Sequence, residues 1–114
     1  MKIIHFKDFD ISRLKRYISL HGYNNFNNGY VFIDDNDKIL GYCILHILTN
    51  KNIKLDWIYA KKGFGTNFLK RIERILSKKY NKILLYVSID QNERKQTVKR
   101  RINFYIKNNY RVLN

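Results

Sequence analysis

The alternation of apolar and polar positions changes its period several times along the chain, and each change predicts a new element. Residues 2–6 and 30–33 have strand character. Residues 38–48 predict a further strand that follows the one at residues 30–33. The polar residues 34–37 between them predict a hairpin turn. Residues 53–59 alternate apolar and polar side chains in the two-residue period of a half-buried strand. Three antiparallel strands in succession are therefore predicted.

Three segments of the chain have the apolar period of a helix. Residues 64–79 predict the clearest helix, because its apolar side chains form one stripe and its basic side chains lie opposite. That stripe consists of Phe64, Phe68, Ile72, Ile75 and Leu76. Asp10 or Ser12 is placed to cap a shorter helix that Gly22 ends. A third helix is predicted to turn four residues toward the core, namely Val98, Ile102, Tyr105 and Ile106.

The apolar run at residues 83–87 predicts a strand that is covered on both faces. A helical crossover leads to it, so it is expected to lie parallel to the strand at residues 53–59. Residues 110–113 predict a last short strand. Together these elements predict an α/β fold with one domain over residues 1–114, in which helices flank a mixed sheet made of an antiparallel meander plus a parallel pair.

Composition narrows the class of protein. A chain of 114 residues with 45% hydrophobic content is large enough to bury one core. The 23 Lys and Arg against 9 Asp and Glu give a net charge of +14, which attracts polyanions and disfavours a strongly cationic substrate. Cys43 is the lone cysteine and lies in an apolar run, which predicts a buried thiol in a reducing, cytoplasmic setting. No stretch approaches the length of a membrane span, so no membrane partner is expected.

A basic turn with two glycines joins the strand at residues 53–59 to the helix at residues 64–79. Its sequence is Lys61-Lys62-Gly63-Phe64-Gly65-Thr66. Two glycines let the backbone approach a ligand, and a helix N-terminus directs N–H groups at an anion, so a phosphate-bearing cofactor is predicted. A P-loop is excluded because its lysine follows the glycines. A dinucleotide fingerprint is excluded because Phe68 stands where the third glycine would be.

The whole chain resembles the GNAT superfamily of N-acetyltransferases. The resemblance rests on three stretches: residues 55–58, residues 61–65 with Leu69 behind them, and residues 103–110, in which Asn109 replaces the family's glycine. Asn tolerates the left-handed conformation that such a helix end requires. The chain departs from the family at Ala60, where an Arg or Gln is usual, and in a longer polar segment at residues 90–97. It also stops soon after Tyr110, so a minimal member without the family's last strand is expected.

The resemblance implies acetyl-CoA as cosubstrate and an amine as acceptor. The cosubstrate is expected between the strands at residues 53–59 and 83–88. The implied cofactor-binding residues are Trp57, Ile58 and Tyr59 through the backbone, then Lys61, Lys62, Gly63, Phe64, Gly65 and Thr66 at the pyrophosphate. Tyr105 matches the acid that protonates the leaving thiolate.

Two residues are candidates for the base that takes a proton from the amine: Asp56, which is expected to point with Ile58 and opposite Trp57, and His46 on a neighbouring strand. Each catalytic candidate also has a structural interpretation. Tyr105 is equally a core tyrosine, Asp56 equally a partner for a neighbouring lysine, and a lone histidine in an apolar run is more often a satisfied core residue. A metal site is not predicted, because three scattered histidines and one cysteine lack ligand spacing.

A basic cluster near the start of the third helix supports an alternative function. It consists of Arg94, Lys95, Lys99, Arg100 and Arg101. The alternative is a small basic nucleic-acid-binding domain without catalysis. The same cluster also fits an enzyme that associates with nucleic acid or ribonucleoprotein near its acceptor. Part of the lysine excess is attributed to the mutational bias of an AT-rich genome. The acceptor is expected to contact residues 18–30 and the C-terminus, and the protein to be a monomer or homodimer.

Overall fold

Five strands in one sheet and three helices make up the described parts of the chain. The structure, a computed structural model, describes residues 1–18, 27–85 and 95–111. The elements are β1 Lys2–His5, α1 Ile11–Ile18, β2 Gly29–Ile33, β3 Ile39–Ile47, β4 Asn52–Ala60, α2 Gly65–Leu76, β5 Lys82–Leu85 and α3 Lys95–Lys107. The strands follow one another in chain order across the sheet. The first four are antiparallel neighbours and β5 runs parallel to β4, which confirms the predicted mixed sheet.

The sheet separates two apolar clusters, because successive strand residues point to opposite faces. One cluster holds Phe32 and Cys43, and α2 and α3 pack against it. The other holds Val31 and Tyr42, and α1 packs against it through Leu14. The molecule therefore has three layers, with α1 on one face of the sheet and the other two helices on the opposite face. Burial raises the pKa of the Cys43 thiol to about 12, as expected of a structural cysteine.

A β-bulge interrupts the pairing of β3 with β4. Trp57 pairs with Ile44, whereas Leu55 pairs with Leu45, so Asp56 is an extra residue in β4. A bulge breaks the strict alternation of side chains between faces. Trp57 therefore joins Asp56 on the α1 face. The sequence period predicted that Asp56 points with Ile58 and opposite Trp57, and this was wrong because a two-residue period contains no bulge.

The ends of the first two helices follow from their capping groups. Asp10 caps α1, since its Oδ1 accepts hydrogen bonds from the N–H groups of Ser12 (3.0 Å) and Arg13 (3.3 Å). Helix α2 begins at Gly65 and ends at Leu76, three residues before the predicted end. There the N–H groups of Lys79 and Tyr80 turn back onto the carbonyl of Leu76. This closing turn ends the helix.

The predicted core face of α3 is wrong at one residue. Val98 and Tyr105 are buried and Ile102 is half-buried, but Ile106 is 51% exposed. Ile106 follows Tyr105 by one residue, a rotation of about 100° around the helix axis. That rotation carries it away from the sheet. The predicted strand at residues 110–113 is not present at Tyr110 or Arg111, and its remainder lies outside the described residues.

Strand β5 is half-buried rather than covered on both faces. It lies at the edge of the sheet formed by the described strands, so one side of its backbone has no described neighbour. The end of the predicted strand at residues 83–87 lies outside the described residues, as do the predicted helix stop at Gly22 and Arg94 of the basic cluster. In the described ranges, no helix combines the length and the apolar character that crossing a membrane requires.

The C-terminal end of α3 forms a Schellman motif around Asn109. The Asn109 N–H donates to the Ile106 carbonyl (3.0 Å), and the Tyr110 N–H donates to the Tyr105 carbonyl (3.0 Å). Asn109 has a φ of 72°, in the left-handed region. The rings of Tyr105 and Tyr110 lie 5.8 Å apart and supply the apolar contact typical of the motif. The sequence prediction that Asn109 replaces a helix-ending glycine is confirmed.

We expect Asn109→Ala to lower the free energy of unfolding by about 1 kcal/mol, because Ala lacks the tolerance of Asn for positive φ. Asn109→Gly should leave stability unchanged or raise it slightly. Urea denaturation of the two variants beside the parent chain measures both effects. Equal losses in the two variants would contradict the conformational explanation and point to the Asn109 side chain itself.

Candidate functional site

The glycine turn connects the end of β4 to the start of α2. The Lys61 N–H donates to the Leu40 carbonyl (2.8 Å), and the Phe64 N–H donates to the Lys61 carbonyl (3.0 Å), which closes a four-residue turn. Gly63 occupies the third position of this turn with a φ of 92°, as a type II turn requires. A Cβ atom added at Gly63 would meet nothing within 4 Å. Glycine is therefore needed here for its backbone conformation, and the space beside it is open.

The N-terminus of α2 presents backbone N–H groups that the helix itself does not use. The first bond of the helical pattern runs from the Phe68 N–H to the Phe64 carbonyl at 3.0 Å. The N–H groups of Gly65, Thr66 and Asn67 come before it and have no acceptor within the helix. No side chain at Phe64 caps them, and the first turn has no acidic residue. With Lys61 and Lys62 exposed nearby, this end of α2 favours an anion.

The last residues of β4 lead into the glycine turn. Strand β5 pairs with β4 as far as Leu55, which lies beside Leu85 at the end of the described part of β5. Beyond that point, Trp57, Ile58 and Tyr59 pair with β3. The glycine turn follows directly after Ala60.

The two candidate bases lie on the same face of the sheet. Asp56 forms an ion pair with Lys54, with 2.9 Å between Oδ1 and Nζ, and both side chains are partly buried. His46 pairs across the strands with Lys54, so its side chain shares that face. The structure therefore brings Asp56 and His46 to one region, the α1 face near the bulge. The lysine partnership of Asp56 is confirmed, whereas His46 is exposed rather than a core residue.

Tyr105 approaches from the opposite face of the sheet. It belongs to the buried cluster that includes Leu55 and Phe68, and it is 8% exposed. Burial raises its pKa to about 12, although the nearby Arg101 lowers it somewhat, so the phenol keeps its proton at neutral pH. The ring of the preceding residue, Phe104, comes within 3.3 Å of where a Cβ on Gly65 would stand. The C-terminal half of α3 therefore lies beside the N-terminus of α2.

A group of tyrosines on the α1 face was missed by the sequence analysis. The rings of Tyr17, Tyr42 and Tyr59 lie 6.0 to 6.2 Å from one another. Burial, and then the proximity of Tyr59, raises the pKa of Tyr17 to about 12. Trp57 lies on the same face and is 36% exposed. The feature that could have predicted this group is the cross-strand pairing of Tyr42 with Tyr59. That pairing can be recognised only once the register of β3 and β4 is known.

The burial of Tyr105 has a consequence for stability at high pH. Its pKa is about 12 in the folded chain against the ordinary value of 10, so its contribution is complete below pH 10 and is lost as the pH rises toward 12. Tyr105→Phe should therefore flatten the fall of the unfolding free energy in this window by up to about 1.4 kcal/mol per pH unit. Urea denaturation of both chains at several pH values between 9 and 11.5 measures the difference. Parallel curves would contradict the burial of the phenol.

Known proteins resemble this chain in sequence and in fold. No protein-family model matches the chain. An uncharacterised N-acetyltransferase of Acanthamoeba polyphaga mimivirus is 32% identical over 81 residues, which cover 69% of this chain and 19% of that protein. The chain thus spans about a fifth of the length of the curated relative that it matches.

Two solved structures share the whole architecture. A GNAT-family acetyltransferase from Streptococcus pneumoniae superposes with a TM-score of 0.64 at 13% identity, over 98% of this chain and 88% of that one. A protein from Pyrococcus furiosus described as an acetyl transferase superposes with a TM-score of 0.63 at 17% identity, over 99% and 94% of the two chains. The predicted resemblance is confirmed at the level of the fold: the chain has the GNAT-like fold of these acetyltransferases.

Proposed function

We propose that this domain transfers an acetyl group from acetyl-CoA to an amine acceptor by direct attack. One observation carries the proposal: β4 leads into the lysine-flanked glycine turn, which presents the uncapped N-terminus of α2. A ligand with an amide-bearing arm followed by a pyrophosphate has the matching order of groups. The names of the relatives support acetyl transfer as the general reaction class.

The residues present fit such a ligand. The outward backbone groups of Trp57, Ile58 and Tyr59 suit the amides of the pantetheine arm, as a strand edge suits an extended peptide. The N–H groups at the start of α2, around Gly65, suit the pyrophosphate, and each favourable charge near a helix N-terminus contributes about 0.3 to 1 kcal/mol. Ala60 removes the side chain that the family usually offers here. We assign the missing positive charge to the exposed lysines next to it, Lys61 and Lys62.

We assign the proton acceptor and the proton donor according to the face of β4 on which each residue lies. Acetyl-CoA supplies a thioester that an amine attacks at the acyl carbon, with a thiolate as the leaving group. Asp56 and His46 lie on the α1 face, and we assign to one of them the acceptance of a proton from the incoming ammonium, which leaves a neutral amine to attack. Tyr105 lies on the other face and keeps its proton at neutral pH, so it is our assigned proton donor to the thiolate. We place the amine acceptor on the α1 face, where the tyrosine group and Trp57 give it an aromatic surface.

The alternative of a nucleic-acid-binding domain without catalysis gains no support from the relatives. Their names describe acetyltransferases.

Acetyl-CoA should raise the thermal midpoint of the protein, because a ligand that binds only the folded state stabilises it by about 2.7 kcal/mol at 100 times its Kd. S-Acetylpantetheine at the same concentration lacks the pyrophosphate and should raise the midpoint much less. Differential scanning fluorimetry compares the two ligands. No shift with acetyl-CoA up to millimolar concentration would overturn the proposed function.

The paired variants Lys61→Gln and Lys62→Gln test the assigned charge. Each should weaken acetyl-CoA binding by about two- to fivefold, as expected for one charge at a helix N-terminus, and leave S-acetylpantetheine binding unchanged. Lys51→Gln removes one charge at the exposed turn before β4, at the opposite end of that strand from the glycine turn, and serves as the control. Titration calorimetry measures all three. An equal effect of Lys51→Gln would show that net charge, rather than the turn, governs the affinity.

Removal of the assigned proton donor should act on turnover rather than on binding. Tyr105→Phe should lower kcat by about 100-fold or more, as is usual for loss of a general acid, with acetyl-CoA affinity retained. Thiol release in the presence of a panel of primary amines measures kcat. Asp56→Asn and His46→Gln, assayed across pH, identify the base as the residue whose replacement removes the acidic limb of the profile. Unchanged turnover in Tyr105→Phe would remove that residue from the proton-donor role.

A further inference from the structure

The positive charge of the chain is concentrated in its second half. Residues 1–60 contain eight basic and six acidic residues, whereas residues 61–114 contain fifteen basic and three acidic ones. A mutational bias toward lysine acts on the whole chain and does not separate the two halves in this way. The separation therefore calls for an explanation in the fold.

The fold converts the charged half of the sequence into one surface. Helices α2 and α3 both belong to this half, and both pack their apolar side chains onto the same face of the sheet. Their basic side chains consequently point to solvent on one side of the molecule. We call this solvent side of the two helices the basic face. Its exposed cations include Lys70, Arg74, Lys95, Lys99, Arg100 and Lys107.

Counter-charges are scarce on the basic face and common elsewhere. Among residues 61–85 and 95–111, Glu73 is the sole carboxylate, and it lies 3.6 Å from Lys70. In the first half of the chain, by contrast, Asp37 pairs with Arg13 at 2.9 Å, and Asp35 pairs with the N-terminal ammonium at 2.7 Å. Charges in the first half are thus balanced locally, while those of the basic face produce an outward positive potential.

The spacing along α3 suits a linear polyanion. Gln96, Arg100, Asn103 and Lys107 recur at intervals of four, three and four residues, so they form one line along the helix. All four are exposed. At 1.5 Å per residue the line is about 16 Å long, comparable to about five nucleotide steps of 3.4 Å. Cations alternate with amide side chains along it, and both donate hydrogen bonds to phosphate oxygens.

From these observations we infer that the basic face binds the phosphate backbone of nucleic acid, independently of acetyl transfer. An anionic membrane fits less well, because a membrane-surface helix must insert an apolar face into the lipid. The apolar side chains Val98 and Tyr105 of α3 are already buried against the sheet. Ile106 is the one large apolar residue exposed on α2 or α3 in the described ranges. The described residues of α2 and α3 include no exposed aromatic side chain for base stacking, so binding is directed at the backbone and tolerates any sequence.

Fluorescence anisotropy with a labelled 15-nucleotide single-stranded RNA, and with DNA of the same sequence, tests this inference between 50 and 200 mM NaCl. We expect both to bind, with affinity that falls steeply as salt increases. The double variant Lys99→Gln/Arg100→Gln should bind about tenfold more weakly at 0.1 M salt, and its salt slope should be smaller by about 1.4. The control Lys7→Gln/Lys38→Gln removes the same charge from exposed positions in the first half and should bind like the parent chain.

Two results would overturn the inference. Equal weakening in both double variants would show that net charge, and not the basic face, attracts the oligonucleotide. Binding to vesicles of phosphatidylserine and phosphatidylcholine that depends on Lys99 and Arg100, without binding to either oligonucleotide, would assign the face to membranes. The thermal midpoints of all variants are measured first. If Lys99→Gln/Arg100→Gln lowers the thermal midpoint, Arg74→Gln/Lys107→Gln tests the same face with the same expected outcome.

Discussion

The pairing of β3 with β4 is the interaction on which the other features of the site depend. It holds the centre of the sheet, with Cys43 and Leu55 buried on one face and Tyr42 on the other. The bulge within it inserts Asp56 and turns Trp57 onto the α1 face. Because β4 remains paired with β3 up to Ala60, the glycine turn starts at a position that the centre of the sheet holds in place.

The sheet also divides the proposed chemistry between two environments. On the α1 face, Asp56 and His46 lie near solvent among charged and aromatic neighbours. On the other face, Tyr105 is held in an apolar cluster that keeps its phenol protonated. In the proposed assignment, proton acceptance and proton donation therefore lie on opposite faces of one strand. This separation follows from the alternation of side chains along a strand and from the placement of α3 beside α2.

The same layering organises the charge of the protein. The helices that complete the apolar cluster also carry most of the unbalanced cations, so the stripe that faces the sheet and the stripe that faces solvent have opposite physical roles. Glu73 is nearly alone among them as an acid. A partner with a regular line of negative charge would therefore meet α2 and α3 without approaching the α1 face, where the acceptor amine is proposed to bind.

The sequence by itself determined the order and type of the elements from β1 to α3, the glycine turn, a cap at Asp10 or Ser12 and the left-handed end of α3 at Asn109, because these depend on local periodicity and on backbone preferences of single residues. Only the tertiary structure decided which residues share a face. A single extra residue at Asp56 reverses the orientation of every side chain that precedes it relative to those that follow, and no local pattern marks it. The exposure of Ile106 was likewise decided by the rotation at which α3 meets the sheet, a property of packing rather than of sequence.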